Sequence, residues 1–99
     1  MITWTVTTYT PDTNTTSTDH GAADNRADAT SEAAATARLQ LDDITADGWT
    51  LPYLAIVIDD DIALMLAIGR DNDGRPDVAA AYLHLDALEA GAAEPGRIA

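Results

Sequence analysis

Large apolar residues concentrate in one stretch of this chain, Leu51 to Ile68, which reads LPYLAIVIDDDIALMLAI. Two apolar runs, each about the length of a strand, flank three consecutive aspartates, Asp59, Asp60 and Asp61. The pattern predicts a β-hairpin, Tyr53–Ile58 and Ile62–Ile68, at the centre of a small sheet. Both runs are apolar on both faces, as in strands that are covered on each side. One helix covers one face, so the second calls for a loop, a partner or another copy of the chain.

Residues 2–9, ITWTVTTY, alternate with period two: Ile2, Trp4, Val6 and Thr8 point one way, Thr3, Thr5, Thr7 and Tyr9 the other. This is the pattern of a half-buried strand, with Trp4 and Val6 toward the core and Pro11 ending it. Residues 11–30, PDTNTTSTDHGAADNRADAT, hold no large apolar residue and predict a polar flexible segment, at least over the first half. Asn14-Thr15-Thr16 matches a glycosylation acceptor, a pattern with little meaning unless the chain is secreted.

A helix is predicted near Ser31 to Asp47. Thr30 offers an N-cap, Glu32 an acid in the first turn, and Gly48 a C-terminal stop. Ala34, Ala37, Leu41 and Ile44 form an apolar stripe, off which Leu39 lies, and Arg38 and Asp42 are spaced to pair. Beyond the hairpin, DNDGRP at 71–76 is strong turn chemistry. The run after it is ambiguous. Val78, Tyr82, Leu85 and Leu88 have helical spacing, yet a turn after a strand favours a strand pairing back, and a strand over Val78–Leu85 with a helical turn at Asp86–Ala90 is expected. The fold class predicted is α+β: one domain over residues 1–90, ordered β-α-β-β-β, an antiparallel-rich sheet with one long helix packed on it. Residues 91–99 are expected to be a frayed tail.

Charge is the dominant feature of the composition. Seventeen acidic residues stand against five arginines and no lysine, a net charge of −12. Such a field opposes nucleic acid and anionic membranes and favours basic surfaces. Genome bias, a salt-rich habitat or solubility explain the acidity equally well at the level of composition. There is no cysteine, which removes disulfides and thiolate metal sites. The opening MITWTVTTYTP has neither the basic start nor the apolar run of a signal peptide, and no apolar run is long enough to span a bilayer. A cytoplasmic protein is expected.

Catalytic and metal chemistry find no support. Adjacent aspartates in a tight hairpin diverge, so Asp59–Asp61 read as an acidic tip rather than a cation site. Asp71-Asn72-Asp73-Gly74 echoes a calcium loop, but Gly69 and Ala80 occupy the first and last ligand positions. His20 and His84 lack metal-ligand spacing, with His84 expected on a sheet face beside Val78, Ala80 and Tyr82. Ser17 and Ser31 have no nucleophile setting, and no phosphate-binding loop is present. No enzyme activity, cofactor or metal is expected. Protein binding remains, through the carboxylates of Asp42, Asp43, Asp47, Asp59, Asp60, Asp61, Asp71, Asp73 and Asp77 as a continuous surface facing a basic partner.

Three segments, Thr5–Tyr9, Leu39–Ile44 and DDDIALMLAIGRDNDG at 59–74, give about half of the chain a pattern that resembles the small immunity proteins of bacterial polymorphic toxin systems of the deaminase type. The chain departs from that family in being short, in lacking its longer C-terminal portion and in its threonine-rich insert. The resemblance implies a stoichiometric inhibitor that covers the active site of a toxin. Two other readings suit the same size and charge: an anti-CRISPR-like anti-defence protein of a phage or mobile element whose acidic face imitates DNA, and a small assembly subunit forming a homodimer through the apolar hairpin.

Overall fold

The computed structural model of the protein describes residues 1–92. Four strands and two helices follow in the order β1 (Ile2–Thr10), β2 (Thr15–Ala23), α1 (Arg26–Ile44), β3 (Tyr53–Ile58), β4 (Asp61–Ala67) and α2 (Val78–Ala92). The strands form one wholly antiparallel sheet in the order β2-β1-β3-β4. The class is α+β, as the sequence predicts. The order of elements is not: two of the expected assignments are replaced.

The first correction is β2, which lies in the segment expected to be flexible. Its residues run antiparallel to β1 from Thr10↔Thr15 to Ile2↔Ala23. Asn14, at φ 51° with its N–H on Pro11 O at 3.2 Å, closes the turn, and Tyr9 Oη donates to Asn14 Oδ1 at 3.1 Å. β2 brings no large apolar side chain of its own. Its inner face is covered from β1: Trp4 pairs with Gly21 across the strands and its ring lies over the glycine. A Cβ at Gly21 would stand 2.5 Å from Trp4 Cζ2 and 2.7 Å from Cε2. Gly21→Ala is therefore expected to lower stability by about 1–3 kcal/mol through overpacking of the ring. Urea denaturation followed by Trp fluorescence reads the loss, and an unchanged midpoint would show that the ring does not sit on the glycine.

The second correction is α2. Val78–Ala92 form a helix in place of the expected strand over Val78–Leu85 with a helical turn, and helical spacing prevails over turn context. Asp77 follows the 71–76 turn and caps the helix, its Oδ1 accepting from Ala80 N at 3.1 Å. Ala81 and Leu85 are buried, Tyr82 and Leu88 half-buried. His84 consequently sits exposed on a helix and not on a sheet face. The helix continues past Gly91 to Ala92, and the expected frayed tail over 93–99 lies outside the described residues.

α1 starts five residues earlier than predicted. Asn25 is the N-cap, its Oδ1 accepting from Asp28 N at 2.9 Å, while Thr30 is buried and returns its hydroxyl to Arg26 O at 2.7 Å. Gly48, at φ 83°, stops the helical region as expected, after a 3-10 turn at Thr45–Asp47. Ala34, Ala37 and Leu41 are buried and Ile44 half-buried, so the predicted stripe faces the core.

Both helices lie on one face of the sheet. Trp4, Val6, Leu54, Ile56 and Ile58 pack there against the alanines and Leu41 of α1 and against Ala81 and Leu85 of α2. Alanine side chains let α1 approach the strands closely. Within this layer Thr8 Oγ1 donates to Gln40 Oε1 at 2.9 Å, and Gln40 Nε2 donates to Asp19 Oδ2 at 2.7 Å, tying α1 to β1 and β2. No helix among the described residues is long and apolar enough to cross a membrane.

Candidate functional site

Two surfaces remain for function: the carboxylates and the second face of the sheet. The nine aspartates expected to form one acidic surface divide between the two ends of the molecule. Asp59 and Asp60 are the two central residues of the β3–β4 turn, at φ 54° and 64°. Both positive values define a tight two-residue turn of the I′ type, matched to strand twist. Asp59 N also donates to Thr3 O at 2.8 Å, so the tip is pinned to the start of β1. Ala23, the last residue of β2, pairs with Ile2 at the same end, which brings Asp24 and Asp28 there too.

The other six lie at the far end, about 20 Å away along the six residues of β3. Direction is set by α1, whose Glu32 accepts from Trp4 Nε1 at 3.3 Å near the tip end while Gln40 reaches Thr8 further along. Asp42, Asp43 and Asp47 thus follow at the far end, and Asp71, Asp73 and Asp77 leave β4 there. Most of this second group has structural work. Asp47 Oδ1 accepts from Trp49 N and Thr50 N, each at 2.9 Å, and Oδ2 accepts from Thr50 Oγ1. The little burial it has works upward, but these hydrogen bonds hold its carboxyl below the usual range. Asp71 Oδ1 accepts from Asp73 N at 2.8 Å and Arg75 N at 3.0 Å, building the turn before Asp77.

Asp42 does not pair with Arg38 as its spacing suggests. It accepts the hydroxyl of Tyr82, whose titration is pushed up to about 12 by burial and then by this carboxylate. Arg38 instead crosses to α2, with Nη1 2.7 Å from Glu89 Oε1 and Nη2 2.5 Å from Asp86 Oδ1. The bond to Glu89 raises its pKa most, with burial opposing and Asp86 adding. Carboxylate–helix ties of this kind hold α2 on α1, a role that spacing within α1 alone does not reveal. No group of three or more His, Asp or Glu side chains able to hold a metal ion occurs among the described residues.

The second surface is the sheet face opposite the helices. Register places Thr3, Thr5, Thr7 and Tyr9 of β1 there, with Ala22, His20, Thr18 and Thr16 of β2 beside them. Tyr53, Ala55 and Val57 of β3 continue it, with Ala67, Met65 and Ile62 of β4. A bulge at Ala63 explains β4, where Ile62 pairs with Val57 and Leu64 with Ile56. The extra residue lets Ile62 and Met65, three apart, face the same way. None of these fourteen residues is buried, and Ile62, Met65 and Tyr53 are 67%, 66% and 51% exposed. The Tyr9 and Tyr53 rings stack with centroids 6.3 Å apart. A groove of about 390 Å³ opens beside them, lined by Thr7, Tyr9, Tyr53, Ala55, Met65 and Ala67 among others.

The hairpin is thus covered on one side only, where its sequence asked for cover on two. At a charged fraction of 22%, about three of fourteen positions would be Asp, Glu or Arg, yet none is. Exposed Leu39, Leu83 and Trp49 lie elsewhere, on the helices and the link to β3. Comparison of the chain with protein families, with characterised proteins and with solved structures finds no match.

Proposed function

We propose that the protein is a non-enzymatic acidic binding protein of the cytoplasm, which inhibits a basic, nucleic-acid-handling partner by occupying its charged site. An immunity-type inhibitor of a toxin is the form of this reading that the sequence resemblance favours. The observation that carries it is the hairpin tip. Asp59, Asp60 and Asp61 are exposed on a turn whose backbone is fixed by its own geometry and by the bond to Thr3, with Asp24 and Asp28 at the same end. Rigidly held charge of one sign speeds encounter with a basic surface and excludes acidic ones.

The test neutralises the tip without straining it. A long cationic side chain would sit poorly in the left-handed backbone at positions 59 and 60, whereas Asn-Gly is the preferred pair for this turn. Asp59→Asn with Asp60→Gly and Asp61→Asn is therefore expected to fold at least as stably as the parent. Affinity capture from host lysate, read by mass spectrometry, is expected to retain a basic protein at low salt and release it at high salt. Retention should fall roughly tenfold with the neutral tip. A partner held equally by both proteins, or no salt-sensitive partner, would sink the proposal.

A further inference from the structure

We infer that the open face of the sheet is an interface between two copies of this chain, packed face to face as a β-sandwich. A chain of net charge −12 resists self-association unless its carboxylates can be kept out of the contact. Here they are kept out: the described acidic residues lie on helices, turns, the hairpin tip and the inner side of β2, and the open face carries none. A basic partner has nothing to pair with on that face. A second copy presents a surface of the same neutral character.

Geometry also favours a second copy. The face is divided into a threonine half on β1 and β2 and an apolar half on β3 and β4. A two-fold axis lying between the sheets and running across the strands, near Ala55 and Met65, lays apolar half on apolar half and reverses the strand ends. That operation carries Ile62, which projects at one end, toward the groove beside Tyr9 and Tyr53 at the other. Projection and groove are then supplied by the same chain, which is what an isologous contact requires. Inner faces of aligned sheets pack about 10 Å apart. Fourteen positions are fewer than the roughly 20–30 residues a side of a standard interface, so weak, concentration-dependent association is expected. The hairpin tip of each copy stays at the rim, beside the far-end carboxylates of the other, so like charges face one another around the contact rather than within it.

Sedimentation equilibrium of the full chain over a wide concentration range tests this. The expected mass rises from 10.4 kDa to twice that value. Screening of the two acidic bodies should tighten the dimer as salt increases, opposite in sign to capture of a basic partner, so the two proposals can fail separately. Met65→Glu, at an exposed position, is expected to leave the fold unchanged by circular dichroism and to weaken dimerisation by about tenfold or more, since two like charges meet near the axis. Tyr53→Glu provides an independent change on the same face. A strict monomer at all concentrations would overturn the inference. So would a dimer indifferent to both substitutions, or a monomer that uses Met65 to hold a different protein.

Discussion

Leu85→Ala is expected to lower the stability of the domain by about 2–5 kcal/mol, a large part of the roughly 5–15 kcal/mol that a small domain commands. Leu85 is fully buried, between the sheet layer and α1, in one cluster with Ala81, Leu41 and Ile68. Truncation removes its transfer free energy and leaves a cavity that helices anchored at both ends close only partly. α2 is tied to α1 by Arg38 and by the Tyr82–Asp42 bond, and to the sheet through β4. Leu83, two residues earlier and 70% exposed, is the control: Leu83→Ala is expected to change stability by no more than about 0.5 kcal/mol. Urea denaturation of both variants reads the difference directly. Equal midpoints would mean that α2 is not part of the cooperative core.

The buried polar link through Gln40 is the second sensitive point. Gln40→Leu is expected to destabilise by about 2–4 kcal/mol, not because a hydrogen bond is worth that much but because its partners stay behind. The Thr8 hydroxyl, with no exposed surface, loses its acceptor, and Asp19 loses the amide that reaches it at 2.7 Å. Thr8→Val removes the stranded donor while keeping shape. The double variant Thr8→Val with Gln40→Leu is therefore expected to be more stable than Gln40→Leu alone, Asp19 being exposed enough to take water. A double-mutant cycle in urea measures the coupling, and strictly additive losses would show that the two residues do not act as a pair.

Both experiments probe places where local pattern and tertiary structure disagree in weight. The Val78–Leu88 spacing was present in the sequence, and so was a turn that suits a returning strand. The choice between them is made by cover. α1 packs on β1, β2 and β3, leaving the inner side of β4, where Leu64 and Leu66 point, without a lid. A fifth strand beside β4 would leave that side open, whereas a helix closes it. Gln40 gives the converse case: a buried polar residue on a mostly apolar helix face, whose partners lie 21 and 32 residues away and are invisible to any local rule.

The candidate surfaces divide in the same manner. Each aspartate was legible as an acidic residue, and Asp59–Asp61 as a hairpin tip. Their separation into two ends was not, because it depends on the direction of α1 along the sheet. Nor was the use of Asp42, Asp47, Asp71 and Asp77 as ties and caps, which removes part of their freedom to meet a partner. The face without Asp, Glu or Arg appears only once register is known, since it gathers residues from four separate segments.

Sequence alone determined the elements whose cause is local. Period-two alternation set β1 and its buried side, apolar density with an acidic break set the β3–β4 hairpin, and Gly48 set the end of the α1 region. Net charge and the lack of cysteine were likewise complete in composition. β2 and α2 instead depend on packing between segments distant in sequence. β2 has no apolar face of its own and becomes a strand because β1 offers a free edge and Trp4 covers Gly21 from across it. α2 is a helix because β4 needs a lid on the helical side. In both, the deciding free energy comes from surface that another segment buries, and that surface cannot be read from the segment itself.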